Sequence, residues 1–271
     1  MEAPADLRAV ARRLDGWQPE RLAGFQQLIG LDDAGPAIRV VLATEESVVA
    51  IGAPAWIAGY ARGDGLIVLF PARVPVYPNA SLDELLGHEV AHVLVARAAG
   101  GRLVPRWFNE GLAMLAEEGW SWGDRSRAAL ALMRSEDGGL ALLDGKFAGS
   151  RAEVSGAYAL SAAIVRSFVQ RYGRAMPAGV LARVARGEGF GEAFLTTTGV
   201  ALAEAEHDFW RRHVIWHRWL PFVGSSATLW IGVTLLALVA ILRRRARDRA
   251  LAEKWEAEER FLDGFDDETL H

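Results

Sequence analysis

At 271 residues, 51% hydrophobic and 24% charged, the chain can bury one core of ordinary domain size with appendages to spare. A formal net charge of −4, with no basic patch interleaved with aromatics in the first 200 residues, argues against a nucleic-acid binder. The absence of cysteine excludes disulfides and thiol catalysis. The abundance of Ala, Arg and Gly is associated with a GC-rich bacterial source. Residues 1–30 predict two short helices. Leu7, Val10 and Leu14 share one face; Pro19 opens the second, which carries Leu22, Phe25, Leu28 and Ile29 and closes at Gly30. Ala37–Ala43 reads as a strand. Trp56–Tyr60 and Leu66–Phe70 read as a hairpin, with Asp64-Gly65 as its turn signal. The Arg62-Gly63-Asp64 triplet is read as that turn and not as an adhesion motif.

Next comes His88-Glu89-Val90-Ala91-His92. Histidines four apart on a helix sit on one face and can grip one metal ion together, while the glutamate between them can serve as general base on a water activated by that metal. Ser81 and Glu84 predict a capping box at the start of this helix, and Gly100-Gly101 predict its stop. Leu85, Leu86, Val90, Val93, Leu94 and Val95 are apolar nearly all round, so the helix is expected to be buried. Burying a carboxylate and two imidazoles without partners is costly, and a metal is a partner.

Catalytic zinc takes three protein ligands and keeps a position open. Pro105-Arg106-Trp107-Phe108-Asn109-Glu110-Gly111 offers the third, with Glu110 in the first turns of a further helix. The two segments together resemble the gluzincins, zinc peptidases whose third ligand is a glutamate in an Asn-Glu-Gly context. They most resemble the bacterial peptidase MA-like members. The resemblance implies that His88, His92 and Glu110 hold one Zn2+ ion and that Glu89 is the catalytic base. Its specific motifs cover residues 81–115, and a looser likeness covers 35–220. Seventeen residues separate His92 from Glu110, one fewer than in the aminopeptidase branch, so that branch's exopeptidase specificity is not carried over. In such peptidases an edge strand of a small sheet holds extended substrate by strand addition.

Beyond Glu110 the pattern is mostly helical. Trp120, Trp122 and the run to Gly149 read as loops and short helices flanking a cleft. Ser150 and Glu153 predict a second capping box, opening a helix that ends at Gly173. Ala157-Tyr158-Ala159-Leu160-Ser161 on it resembles the family segment carrying an oxyanion-stabilising tyrosine, which makes Tyr158 a catalytic candidate beside its alternative as a core tyrosine. Helices are expected near 177–186, 189–198 and 201–218. His213 and His217 are four apart, but without a glutamate between them and among Trp210, Trp216 and Trp219 they read as an interfacial belt and not as a second metal site.

From Trp219 to Leu242 no charge occurs, a length that predicts one transmembrane helix. Arginines cluster just after it, so the positive-inside rule puts residues 243–271 in the cytoplasm as a charged tail. Nothing in residues 1–30 reads as a signal peptide, so export of the peptidase domain implies a leader missing from this chain; a tail-anchored protein is the alternative.

The sequence thus predicts an α+β fold with three parts. Residues 1–218 form a peptidase domain, with N-terminal helices over 1–30, a small sheet over 36–80 and a helical catalytic part over 81–218. Residues 219–242 span the membrane and 243–271 form the tail. The expected protein is a single-pass, membrane-anchored zinc metallopeptidase acting outside the cytoplasm on peptide or protein substrates. The competing reading is a membrane-tethered binding or scaffold module with a vestigial or structural zinc site.

Overall fold

The computed structural model describes residues 1–47, 57–63, 65–74, 77–116, 139–223, 234, 236–245 and 247. Two helices open the chain, α1 (Arg8–Leu14) and α2 (Ala23–Ile29), and they bury Leu14, Phe25 and Ile29 against the core. Three short strands follow: β1 (Arg39–Leu42), β2 (Gly59–Arg62) and β3 (Leu66–Leu69). β3 is central, parallel to β1 and antiparallel to β2, with Val40 opposite Ile67 and Ala61 opposite Ile67 on the other side. Ile67 and Leu69 are buried because alternate β3 side chains face the helices. β2 is left at the edge.

Helix α3 (Leu82–Ala98) carries the two histidines. Ser81 accepts from the Glu84 N–H at 3.2 Å, as an N-cap should. The Glu84 carboxylate accepts from Ala80, one residue before the cap, at 2.7 Å, so the return arm of the expected box is displaced by one residue. The helix stops where Gly100 and Gly101 take φ of 62° and 74°, a left-handed conformation costly for other residues. Helix α4 (Arg106–Ala116) packs against α3, and against α6 (Arg151–Tyr172) on its other side. The short α5 (Leu140–Lys146) lies between α4 and α6 in contact with both. At the start of α6 the capping box of Ser150 and Glu153 forms in full. Helices α7 (Met176–Ala185), α8 (Phe190–Thr198) and α9 (Leu202–Val223) complete the order. Phe108, Phe168 and Phe194 fill the interior between them. Met1–Val214 form one compact unit and Ile215–His271 a second.

The architecture is mostly helical with one small three-stranded sheet, and it corrects the expected fold at its C-terminal end. Among the described residues no helix is long and apolar enough to cross a membrane, so the transmembrane helix over 219–242 is not upheld. The single-pass location at the cell membrane does not fit for the same reason. The cause is where the helices fall. α9 has the length, but it carries Glu204, Glu206, Asp208, Arg211, Arg212 and Arg218, and it absorbs residues 219–223 of the apolar run as its last turn. Trp56, Asp64, Trp120, Trp122 and the tail beyond 247 lie outside the described residues, as do the side chains of His213 and His217.

Candidate metal centre

The site is built on α3, α4 and α6. One turn of α3 separates His88 from His92, and the two rings meet edge to face with centroids 4.7 Å apart. From α4, Glu110 reaches between them. Its Oε2 lies 3.4 Å from His88 Nε2 and 3.2 Å from His92 Nε2. One ligand atom from each residue can be chosen so that all three lie within 4.8 Å, and among the described residues no other such group occurs.

The fit to a metal rests on Glu110 Oε2 itself. It is a buried carboxylate oxygen that receives no hydrogen bond. An orphaned acceptor of this kind is rare and costly unless a cation completes it. Two ligand atoms about 2.0–2.1 Å from a tetrahedral zinc stand roughly 3.3 Å apart, which matches both separations. Two imidazoles and a carboxylate are also the donor set of catalytic zinc. The residues present fit the ion.

Burial alone would raise the Glu110 pKa, but the charge of His92, the close approach of the His88 and His92 ring nitrogens to the carboxylate, and the charge of His88 overturn that and hold it well below the ordinary carboxylate range. Glu89 behaves in the opposite sense. Burial, helped by the charge of Glu110, raises its pKa; His92, His88 and a hydrogen bond from the Ala61 backbone offset this only in part. Glu89 stands against the edge strand, where a Cβ added to Gly59 would lie 3.3 Å from its Oε1. A glycine in β2 is what lets the carboxylate come so close to the strand.

Tyr158 on α6 turns its ring toward the same place, with centroids 6.0 Å from His88 and 5.3 Å from Phe147. Burial, then the charges of Glu110 and Glu89, push its hydroxyl pKa up against a smaller opposing effect of Arg106. The structure therefore brings together all five residues named from the sequence, His88, Glu89, His92, Glu110 and Tyr158. His207 is exposed and not part of the cluster.

Four supporting residues were not given roles from the sequence. Asn109 Oδ1 lies 3.0 Å from His92 Nδ1. Gly111 lets α4 and α6 touch, since a Cβ there would stand 2.4 Å from Val165 Cγ2 and 2.6 Å from the Ser161 carbonyl oxygen. Asp144 on α5 caps α4 by accepting from the Trp107 N–H at 2.8 Å. Arg106 places Nε 3.4 Å from Glu110 Oε1, the oxygen turned away from the histidines, and lays its guanidinium on Phe147. Asn109 and Gly111 could have been found in the Asn-Glu-Gly context, and Arg106 from its four-residue spacing to Glu110. Asp144 has no local signal.

Cavity space of about 890 Å3 opens over the cluster, lined by β2 on one side and by the first turns of α6 on the other. A family model, that of the Peptidase MA superfamily, matches residues 54–216, which include all of these residues. No curated protein and no solved structure matches the chain.

Proposed function

Since the chain belongs to the Peptidase MA superfamily, we propose that it is a gluzincin-type zinc metallopeptidase in which His88, His92 and Glu110 hold one Zn2+ ion. Zinc in such a site supplies Lewis-acid polarisation of the scissile carbonyl and makes water acidic enough to attack at neutral pH. The remaining work falls to side chains. Glu89 takes a proton from the attacking water on its carboxylate and returns it to the leaving amine nitrogen. Its raised pKa favours that task, because a base closer to the working pH both accepts and releases a proton readily. Tyr158, kept neutral by its raised pKa, donates its hydroxyl hydrogen to the oxyanion that forms at the carbonyl. β2, which lies at the edge of the sheet among the described residues and beside Glu89, offers that edge to an extended substrate backbone.

The observation that carries this reading is the orphaned Glu110 Oε2 facing two imidazole nitrogens at 3.2 and 3.4 Å. A purely structural zinc usually takes four protein ligands and has no use for a buried glutamate beside it. The test is metal content of the purified protein together with cleavage of a mixed peptide library, wild type against Glu89→Gln. The wild type is expected to carry about one zinc and to cleave; Glu89→Gln is expected to carry zinc and not to cleave. Near-normal hydrolysis by Glu89→Gln refutes the assignment of the base.

A further inference from the structure

The two oxygens of the Glu110 carboxylate have different surroundings. Oε2 faces the imidazole nitrogens of His88 and His92 and receives no hydrogen bond. Oε1 is paired with Arg106, whose Nε donates to it at 3.4 Å. The Glu110 side chain is 9% exposed and that of Arg106 46%, so the pair joins the interior to the cavity that Arg106 lines. Ion pairs exposed at both ends contribute little to stability; here one partner is buried at the metal centre.

Helix stability does not account for this arginine. Arg106 is the first residue of α4, where the helix dipole opposes a cation. An arginine four residues before a glutamate is also the weaker order for such a pair. Its position is nonetheless fixed. Asp144 accepts from the Arg106 and Trp107 N–H groups at 3.4 and 2.8 Å, which secures the backbone that carries the side chain. The guanidinium lies over the Phe147 ring, 4.5 Å from its centroid, and Phe147 meets Tyr158 edge to face. Burial and the charges of Glu110 and Glu89 raise the Tyr158 hydroxyl pKa, and Arg106 opposes that rise by its charge and by a hydrogen bond. One side chain thus stands beside both the metal ligand and the phenol.

We propose that Arg106 is a positioning residue that holds Glu110 to one-oxygen binding, engaging Oε1 so that Oε2 alone is offered to the metal. The proposal rests on the metal-site reading and adds what keeps that site open. A carboxylate can bind a metal through one oxygen or through both. A second oxygen would occupy the position that catalytic zinc keeps for water. A guanidinium on Oε1 opposes this by its charge and by fixing the orientation of the carboxylate.

The experiment loads the full chain, wild type and Arg106→Gln, with Co2+ in place of zinc and records its visible absorption. A four-coordinate cobalt site absorbs more strongly than a five-coordinate one, so the band should weaken in Arg106→Gln. Zinc affinity, from chelator competition, should be kept or rise, because no ligand is lost. With zinc bound, kcat for a cleaved peptide should fall by about 10–100-fold with KM little changed. Arg106→Lys can still donate to Oε1 and should restore the band and part of kcat. An unchanged band in Arg106→Gln overturns the proposal and leaves the metal site standing. A wild type that takes up neither cobalt nor zinc overturns the metal-site reading, and this proposal with it. If the wild type binds metal but cleaves no peptide, the peptidase reading fails by itself and the cobalt band decides: a weakened band sustains the role of Arg106, and an unchanged one overturns it.

Discussion

His92 Nδ1 and Asn109 Oδ1 lie 3.0 Å apart, across two helices. With the proton on Nδ1 the ring donates to the amide oxygen, and the lone pair of Nε2 is left facing Glu110. Asn109 therefore selects both the tautomer and the angle of the ring. Asn109→Ala is expected to weaken zinc binding by about 10–100-fold without removing a ligand. Competition with a chromogenic chelator measures this; unchanged affinity returns Asn109 to a packing role.

The role of Tyr158 is tested by removing one oxygen. Tyr158→Phe keeps the ring against His88 and Phe147 and deletes the hydroxyl. If the hydroxyl serves the oxyanion, kcat should fall by about a hundredfold or more with little change in KM, zinc content or melting temperature. An unaltered kcat makes Tyr158 a core tyrosine.

Gly111→Ala probes how α4 is seated. The added methyl would meet Val165 Cγ2 at 2.4 Å and the Ser161 backbone at 2.6 Å, and backbone cannot step aside as a flexible side chain can. The expected cost is about 1–3 kcal/mol of stability, read from denaturant unfolding. Zinc affinity should fall with it, because Glu110 precedes Gly111 on the same turn. A variant as stable as wild type would mean that the two helices have room to part.

What the sequence disclosed was local. The four-residue step from His88 to His92, the Ser150–Glu153 box and the proline that opens the Glu110 helix are all relations within one or two turns, and each is present in the structure. What it withheld is set by distance along the chain. Nothing near Asp144 says that it caps a helix 37 residues earlier. The parallel pairing of β1 with β3 skips over β2, and no alternation of apolar residues encodes that order. The run after Trp219 failed for another reason. Hydropathy sees the absence of charge but not helix boundaries, and α9 takes the first residues of the run into a charged helix that ends at Val223.

The capping box at the start of α6 makes a pH-dependent contribution to stability. Ser150 accepts from the Glu153 N–H, and the Glu153 carboxylate accepts from the Ser150 N–H and hydroxyl, both at 2.7 Å. These bonds favour the charged carboxylate and lower its pKa below the ordinary value. A carboxyl depressed in the folded state binds fewer protons there than in the unfolded chain, so its contribution is present above the ordinary carboxylate pKa. It is lost as pH falls through the lowered folded value. Ser150→Ala removes the N-cap acceptor and the hydroxyl partner together. Near neutral pH it should lower Tm by about 2–4 °C for a domain of this size. On acidification below the ordinary carboxylate range the gap should narrow to the share of the N-cap bond, because protonated Glu153 no longer accepts the Ser150 hydroxyl in the wild type. Thermal melts of both proteins across that range measure it. A Tm difference that stays constant down to the lowest pH would show that Glu153 contributes nothing to the cap.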